Sequence, residues 1–214
     1  MKVGIIGSGD AGRALGRGFV AHGHEAMVGS RDPSQERVVA WVAEAGAGAS
    51  AGSFAEAAEF GEVAVLATGW EGTENAIRLA GPERLAGKVV IDVTNPLDFS
   101  AGMPPTLVLS GDDSGGEQVQ QWLQESRVVK AFNIVGNAHM VDADFEGGPP
   151  TMFIAGDDPE AKATVTGILD EFGWETVDLG GIDRSRYLEP LAMVWIVHAA
   201  SGAGIDHAFK LLRK

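Results

Sequence analysis

Short apolar runs alternate with longer amphipathic stretches along the chain. The apolar runs predict buried strands at residues 3–6, 26–28, 63–67, 89–93, 128–132, 152–155 and 176–179. The amphipathic stretches predict helices at residues 11–21, 33–44, 54–59, 73–79, 117–124, 159–172 and 184–202. Strands that are apolar on both faces and alternate with helices are typical of a mostly parallel sheet with helices on both sides. We therefore expect an α/β fold.

Two helix starts are marked by an aspartate followed by a proline. Asp32 precedes Pro33, and Asp158 precedes Pro159. An aspartate side chain accepts hydrogen bonds from the free N–H groups of a first helical turn, and proline suits the first helical position because it has no N–H to satisfy. We predict that helices begin at Pro33 and at Pro159.

The composition removes several classes of function. The chain has 214 residues, with 30 Asp and Glu against 16 Lys and Arg, a net charge of −14, and no cysteine. The acidic balance argues against a nucleic-acid or anionic-membrane partner. Without cysteine, disulfides, thiolate catalysis and cysteine-ligated metals are impossible. The 5 histidines include no i, i+4 pair, so we expect no metal site.

Neither a secretion signal nor a membrane span is predicted. The first residues lack the apolar core of a signal peptide. The longest uncharged apolar stretch, residues 190–205, is shorter than the roughly 20 residues that cross a bilayer. We expect a cytoplasmic protein.

A glycine motif joins the first predicted strand to the first predicted helix. The pattern G-x-G-x-x-G is formed by Gly7, Ser8, Gly9, Asp10, Ala11 and Gly12. Its glycines permit a tight turn, close approach of a pyrophosphate, and close packing of helix on strand, while the helix N-terminus attracts the anion. The motif predicts a Rossmann-type, doubly wound dinucleotide-binding fold. A carboxylate would repel a pyrophosphate, so we expect Asp10 to cap the helix or to pair with Arg13 or Arg17.

The end of the second predicted strand indicates which dinucleotide is bound. An NAD site has Asp or Glu there to hold the ribose hydroxyls, whereas this chain has Gly29 followed by Ser30 and Arg31. A hydroxyl and a guanidinium suit a 2′-phosphate. We therefore expect NADP(H) in preference to NAD(H).

Several segments resemble a known enzyme family. They are VGIIGSG (3–9), AHGHE (21–25), VGSR (28–31), DVTNPL (92–97), VVKAFN (128–133) and SRYLE (185–189). With these segments the chain resembles the NADPH-dependent reductases of coenzyme F420 and their bacterial relatives, and it is similar to the oxidoreductase domain of the STEAP metalloreductases. The resemblance implies hydride transfer between a nicotinamide and a flavin or deazaflavin acceptor, which is coenzyme F420, FMN or FAD.

The resemblance also implies positions for the site residues. Thr68, Gly69 and Trp70 would approach the ribose and nicotinamide of the cofactor, Asn95 and Pro96 would border the nicotinamide, and Asn133 would lie near the acceptor ring. Archaeal members have a histidine in place of Asn133. A second basic residue of those enzymes falls on Gln35 here, which leaves Arg31 and Arg37 for the 2′-phosphate.

Other polar residues are weaker candidates for the acceptor side. Lys130 interrupts an apolar strand and is either a lysine with a solvated tip or a cation near the acceptor. His139 follows the same strand and is either a substrate contact or an ordinary loop histidine. For Asp92 we predict a buried carboxylate that fixes the loop at Thr94. Arg186 and Glu189 are spaced to pair with each other on one helix.

The chain divides near Pro149. We expect an NADP-binding domain at residues 1–149 and a small C-terminal α/β extension at residues 150–214, which contributes to the acceptor pocket and ends in a long apolar helix. Residues 188–197 of that helix are apolar nearly all round, which predicts burial on more than one side and a homodimer contact.

Two other functions remain open. One is an imine or 2-/3-hydroxyacid reductase of the pyrroline-5-carboxylate reductase type, which shares the glycine motif. Such enzymes add a large helical domain, where this chain has predicted strands. The other is a non-catalytic NADPH-sensing module, which would need no second ring site.

Overall fold

One large sheet organises the molecule. The computed structural model describes residues 1–214. Its main strands are β1 (Lys2–Ile6), β2 (Glu25–Gly29), β3 (Ala49–Gly52), β4 (Val63–Leu66), β5 (Val89–Asp92), β8 (Arg127–Lys130), β9 (Thr151–Gly156) and β10 (Glu175–Asp178), and a separate two-stranded sheet is formed by β6 (Leu97–Asp98) and β7 (Thr106–Leu107). The eight strands of the large sheet lie in the order β10-β9-β8-β5-β4-β1-β2-β3.

Helices cover both faces of this sheet. They are α1 (Asp10–Ala21), α2 (Glu36–Ala45), α3 (Phe54–Phe60), α4 (Trp70–Ala80), α5 (Pro82–Leu85), α6 (Gly115–Trp122), α7 (Pro159–Glu171) and α8 (Ser185–His198). None of them combines the length and the apolar character that a membrane crossing requires.

The strand pairing confirms a Rossmann-type, mostly parallel sheet. All neighbours in the large sheet run parallel except β8 and β9, which are antiparallel. β9 and β10 therefore extend the same sheet. The strand order reverses direction between β1 and β4, and in open parallel sheets such a switch point opens a crevice at the carboxyl ends of the strands.

Successive residues of the central strands enter different cores. Ile5 belongs to a cluster of 29 buried residues, and Ile6 belongs to a second cluster of 15. Alternate side chains of a strand point to opposite faces, so the two clusters lie on the two sides of the sheet. This is why the strands appear as continuous apolar runs in the sequence.

The two predicted helix starts have different outcomes. α7 begins at Pro159 as predicted, and the Asp158 carboxylate accepts a hydrogen bond of 2.7 Å from the N–H of Ala161. The prediction at Pro33 is wrong, because α2 begins at Glu36. The Asp32 carboxylate instead accepts hydrogen bonds from the N–H and hydroxyl of Ser34, which forms a local turn before the helix.

The end of the chain also differs from its prediction. The last helix, α8, is followed by one wider turn, Ala199–Ala203, and then by an irregular segment, so the chain does not end in a helix. In the single chain one face of α8 is open, with Tyr187, Val194 and Val197 63%, 58% and 47% exposed, so the burial of this face by a second subunit stays a prediction. The irregular segment packs back on the sheet, where the N–H of Thr151 donates to the carbonyl of Phe209 at 2.8 Å.

Candidate functional site

The glycine loop follows β1 and lies at the switch point of the sheet. Gly7 has a φ of +134°, and a Cβ there would collide with the carbonyl oxygen of Ala67 at the end of β4. A Cβ at Gly12 would collide with the carbonyl of Gly7. At Gly9 a Cβ would meet nothing within 4 Å. Two glycines are therefore required by close backbone packing, while the third faces open space.

That open space is a cavity of about 350 Å³. Of the residues predicted from the sequence, it is lined by Gly7, Ser8, Gly9, Ser30, Arg31, Thr68 and Gly69, together with Gln35 and Arg37. Glu71 and Asn75 of α4 also line it, and sequence reasoning missed both. The structure thus brings the glycine loop, the end of β2 and the start of α4 around one space.

Two helices begin at this cavity without a side-chain cap. Gly9 precedes α1 and Gly69 precedes α4, and neither can offer a side-chain acceptor to the first turn. By contrast, Ser53 caps α3 and Asp158 caps α7. The free N–H groups and the helix dipoles of α1 and α4 therefore favour an anion at this end of the sheet.

The end of β2 is tied to the glycine loop by hydroxyl groups. The Ser8 hydroxyl donates to the Ser30 hydroxyl at 3.2 Å, and the Ser30 hydroxyl donates to the carbonyl of Asp32 at 3.1 Å. The exposed Arg31 beside them makes no ion pair. Asp10 pairs with Arg13, as expected, so its carboxylate is directed to a neighbour on the same helix.

Trp70 and Pro96 come together around the start of α6. The Trp70 ring stacks on Trp122 with a centroid separation of 5.6 Å. A Cβ on Gly115 would lie 3.0 Å from Trp70 Cζ3 and 3.3 Å from Pro96 Cδ. These two predicted residues thus border one glycine, although neither lines the 350 Å³ cavity.

Asn95 and Asn133 bond to each other across two loops. The Asn95 side chain donates to the carbonyl of Asn133 at 2.8 Å, and the Asn133 side chain donates to Asn95 Oδ1 at 3.0 Å. Asn133 also donates to the carbonyl of Leu188 on α8 at 3.0 Å, while its own Oδ1 is buried and has no hydrogen-bond partner. One buried hydrogen-bond acceptor, Asn133 Oδ1, is therefore left without a partner beside the position predicted for the hydride-accepting ring.

Lys130 is fully buried, so the alternative of a solvated tip is wrong. Its Nζ lies 2.7 Å from Asp92 Oδ2 and 3.0 Å from Glu189 Oε1, and it donates to the carbonyl of Thr94 at 2.7 Å. Burial alone would lower the pKa of Lys130, but the charges of Asp92 and Glu189 and their hydrogen bonds raise it. Lys130 therefore keeps its charge inside the core.

Asp92 has the role that the sequence predicts. Its Oδ1 accepts the N–H of Thr94 at 2.9 Å and the hydroxyl of Thr94 at 2.7 Å. The fully buried carboxylate therefore fixes the loop that leads from β5 to Asn95.

The expected pair between Arg186 and Glu189 does not form. Arg186 binds Glu117 of α6 through two hydrogen bonds of 2.7 and 2.6 Å. The hydrogen bond from Arg186 holds the pKa of Glu117 below its usual value. Glu189 instead lies beside Lys130, with its Oε1 3.0 Å from Lys130 Nζ.

Glu189 is the polar residue whose environment sequence reasoning missed. Its two carboxylate oxygens accept the N–H groups of Gly115 and Gly116, each at 2.9 Å, and the residue is 1% exposed. The sequence does hold one signal for this environment, because Glu189 is the one charged residue in the apolar stretch 188–197. A carboxylate that is buried in such a stretch needs a cation or several N–H groups as partners.

His139 lies apart from the cavity. Its Nε2 is 2.7 Å from Asp206 Oδ1, and its ring packs against Phe145. In this structure His139 therefore contacts the irregular segment that follows α8.

The sequence matches known proteins over the elements just described. The family model "NADP oxidoreductase coenzyme F420-dependent" matches residues 2–96, from β1 to the loop after β5. An F420-dependent NADP reductase of Methanocaldococcus jannaschii is 33% identical over 156 residues, which are 70% of this chain and 69% of that protein. The crystal structure of a candidate F420-dependent NADP reductase of Arthrobacter sp. FB24 has a TM-score of 0.94 and 37% identity, and the match covers 100% of both chains.

A longer animal protein is also similar. Rat metalloreductase STEAP3 is 31% identical over 201 residues, which are 90% of this chain but 36% of that protein. The chain thus spans about a third of the length of this relative.

The comparisons establish the family. The chain matches the family model and is similar to reductases over most of their lengths. It therefore belongs to the family of coenzyme F420-dependent NADP oxidoreductases and is an NADP-dependent oxidoreductase.

Proposed function

We propose that the protein transfers a hydride between NADP(H) and a flavin or deazaflavin acceptor, namely coenzyme F420, FMN or FAD. The observation that carries this proposal is the cavity at the switch point, which joins a glycine loop, two uncapped helix N-termini and an unpaired arginine. Membership of the family supports the choice of NADP(H) and of coenzyme F420.

The residues around the cavity fit a dinucleotide phosphate. Gly7, Ser8 and Gly9, with the first turn of α1 at Asp10, Ala11 and Gly12, would hold the pyrophosphate through backbone N–H groups. The open face of Gly9 leaves room for this approach. Ser30 and Arg31, assisted by Arg37, would hold the 2′-phosphate. When bound, NADPH supplies a hydride from its nicotinamide ring.

Residues after β4 and β5 would orient the nicotinamide end. Thr68 and Gly69 line the cavity, and we place Trp70, Asn95 and Pro96 beyond them on the nicotinamide side. Trp70 is held by its stack on Trp122, and Asn95 is held by its bonds to Asn133. Hydride transfer between two rings needs a separation of roughly 3 to 3.5 Å and the exclusion of water, so positioning is the main task of these side chains.

For the hydride-accepting ring we propose a contact with Asn133. Its Oδ1, which has no hydrogen-bond partner, would accept a hydrogen bond from an N–H group of that ring after a small movement of the side chain. Lys130 and His139 are the remaining candidates there. Lys130 lies beneath the loop at Thr94, so any influence on the acceptor would act through that loop.

We also propose that residues 1–149 form the cofactor domain and that residues 150–214 complete the acceptor pocket. The contact of α8 with Asn133, through the carbonyl of Leu188, supports the contribution of the second part to the acceptor pocket. The exposed apolar residues of α8, Tyr187, Val194 and Val197, form the face that we propose as the homodimer contact.

The test is a screen of acceptors. The near-ultraviolet absorbance of NADPH is followed after mixing with coenzyme F420, FMN, FAD or a ferric chelate, and catalytic loss of that absorbance with one of the three ring acceptors is expected. Turnover with a cyclic imine but with none of the rings would favour the imine reductase alternative. Stoichiometric NADPH binding without any turnover would indicate a sensing module.

A further inference from the structure

Two consecutive residues of α8 hold the two loops that border the proposed ring site. The Leu188 carbonyl accepts a hydrogen bond of 3.0 Å from the Asn133 side chain, in the loop after β8. The Glu189 carboxylate lies 3.0 Å from Lys130 Nζ, and Lys130 donates to the carbonyl of Thr94 at 2.7 Å, in the loop after β5. One turn of α8 is thus connected to both loops, directly through Leu188 and by way of Lys130 through Glu189.

Glu189 also closes the start of α6. Its oxygens accept the N–H groups of Gly115 and Gly116 at 2.9 Å each, so a carboxylate from α8 takes the place of a local cap for these two groups. A Cβ on Gly115 would lie 3.0 Å from Glu189 Oε1 and 3.0 Å from Trp70 Cζ3. Glu189 therefore borders the same glycine as Trp70 and Pro96.

The Thr94 loop is held from both sides by this buried charge network. Asp92 accepts the N–H and hydroxyl of Thr94, while Lys130 binds the carbonyl of Thr94. Asp92, Lys130 and Glu189 are all essentially unexposed. Asn95 and Pro96 follow Thr94 directly in the chain, so the position of the Lys130 ammonium group influences where these two residues lie.

Stability alone is a poor reason for such a network. Removing charges from water costs energy that their attraction only partly returns, and apolar residues of similar size often fill the same space at least as well. What ionic contacts add is direction, because they hold each partner at defined atoms. A fixed loop matters most where two rings must meet within a fraction of an ångström.

We propose that Glu189 is a positioning residue, which acts through Lys130 to fix the Thr94–Asn95–Pro96 loop for hydride transfer. The kinetic part of this inference rests on the proposed function. The structural part, that Glu189 immobilises the loop, is independent of any acceptor.

The test compares Glu189→Gln with Glu117→Gln in the full-length protein. Glu189→Gln leaves Lys130 paired with Asp92, so the core carries no unbalanced charge and the variant is expected to fold. Glu117→Gln is the matched control, because it removes the other carboxylate that joins α6 to α8 without touching Lys130.

Hydrogen–deuterium exchange and steady-state kinetics are measured on both variants. We expect exchange at residues 93–97 to rise about tenfold in Glu189→Gln and to stay at the parent rate in Glu117→Gln. We expect kcat to fall about tenfold in Glu189→Gln, since small misplacements of reacting groups are costly. Its Kd for NADPH should stay within about threefold of the parent, because the phosphate contacts at Gly9 and Arg31 are unchanged.

Unchanged exchange and unchanged kcat in a folded Glu189→Gln variant would overturn the inference, as would equal effects of the two substitutions. Should Glu189→Gln fail to fold, Glu189→Asp provides the same comparison, since it keeps the charge but withdraws the carboxylate from Lys130. If the parent reduces no acceptor, while exchange rises only in Glu189→Gln, the proposed function fails and the positioning of the loop stands.

Discussion

The carboxylate of Asp32 binds Ser34, at 3.0 Å from the N–H and 2.6 Å from the hydroxyl, and so leaves the neighbouring Arg31 without an acidic partner. Arg31 lines the cavity beside Ser30. An aspartate next to the proposed phosphate contact would otherwise neutralise it. The local turn at Asp32 thus keeps the guanidinium available.

The first prediction concerns this arginine. Arg31→Ala should weaken NADPH binding by about 1.5 to 3 kcal/mol, because a charge-assisted contact to the 2′-phosphate is lost, and it should leave NADH binding nearly unchanged. Titration calorimetry with both cofactors measures the difference. Arg17→Ala is the control, since Arg17 pairs with Glu44 on the surface. Equal losses for NADPH and NADH in Arg31→Ala would exclude the 2′-phosphate role.

A second prediction separates two glycines of the same loop. Gly9→Ala places its methyl group in open space at the N-cap of α1, so it should lower the free energy of unfolding by no more than about 1 kcal/mol while NADPH affinity drops. Gly7→Ala should instead destabilise the fold, because its φ of +134° is unfavourable and its Cβ would collide with Ala67. Thermal denaturation and NADPH titration of both variants test this contrast. Tight NADPH binding by Gly9→Ala would contradict the proposed approach of the pyrophosphate.

The buried lysine should matter strongly for stability. Lys130→Met would leave Asp92 and Glu189 facing each other without a cation, which should lower the free energy of unfolding by about 3 kcal/mol or more. Lys162→Met is the control, because Lys162 forms a more exposed pair with Asp178 and should cost only about 0 to 1 kcal/mol. Urea denaturation at neutral pH compares the two. If both variants lost a similar amount of unfolding free energy, then leaving Asp92 and Glu189 without Lys130 would carry no particular cost.

Acid should remove the contribution of the pair between Glu117 and Arg186. The pKa of Glu117 is lowered in the folded protein, so its stabilising effect is complete above the ordinary glutamate pKa of about 4.3 and disappears as the pH falls through the lowered value. The stability gap between the parent and Glu117→Gln should therefore be constant near neutral pH and shrink in acid. Urea titrations across this range measure it, with Glu125→Gln as a surface control. A stability difference between the parent and Glu117→Gln that grows in acid would contradict the predicted direction of the pH dependence.

The oligomeric state can be tested on the exposed face of α8. If that face is the homodimer contact, Val194→Glu should shift the protein from dimer to monomer, because a charge would be buried in an apolar interface. Light scattering after size-exclusion chromatography measures the mass. Leu79→Glu, an exposed apolar position on α4, is the control. A parent protein that is already monomeric would refute the proposal.

Local signals in the sequence were enough for most of the fold. Val3, Ile5 and Ile6 mark β1 because apolar side chains on both faces are typical of a central parallel strand. β3 was missed because Ala49–Gly52 has no β-branched or aromatic side chain, and its strand conformation is imposed by pairing with β2. Asp32-Pro33 and Asp158-Pro159 look alike locally, yet only the second begins a helix, since Ser34 offers Asp32 a competing turn.

The site was predictable only where a motif is continuous in the chain. The glycine loop is such a motif, and the structure places it beside Ser30 and Arg31 as expected. The network around Lys130 is not, because β5, β8 and α8 each contribute one side chain to it and α6 contributes two backbone N–H groups. Spacing on α8 suggested Arg186 as the partner of Glu189, whereas both actual partners lie on other elements: Glu117 of α6 binds Arg186, and Lys130 of β8 pairs with Glu189.

Because α1 and α4 start without a side-chain cap, the stability of the protein should depend on small anions. Any anion that completes those first turns binds the folded chain alone, and a ligand at a hundredfold excess over its Kd adds about 2.7 kcal/mol to the free energy of unfolding. Inorganic phosphate and sulfate should compete with NADPH for the same amides. The melting temperature should therefore rise in phosphate buffer, and NADPH should appear to bind more weakly there than in a buffer of bulky organic ions.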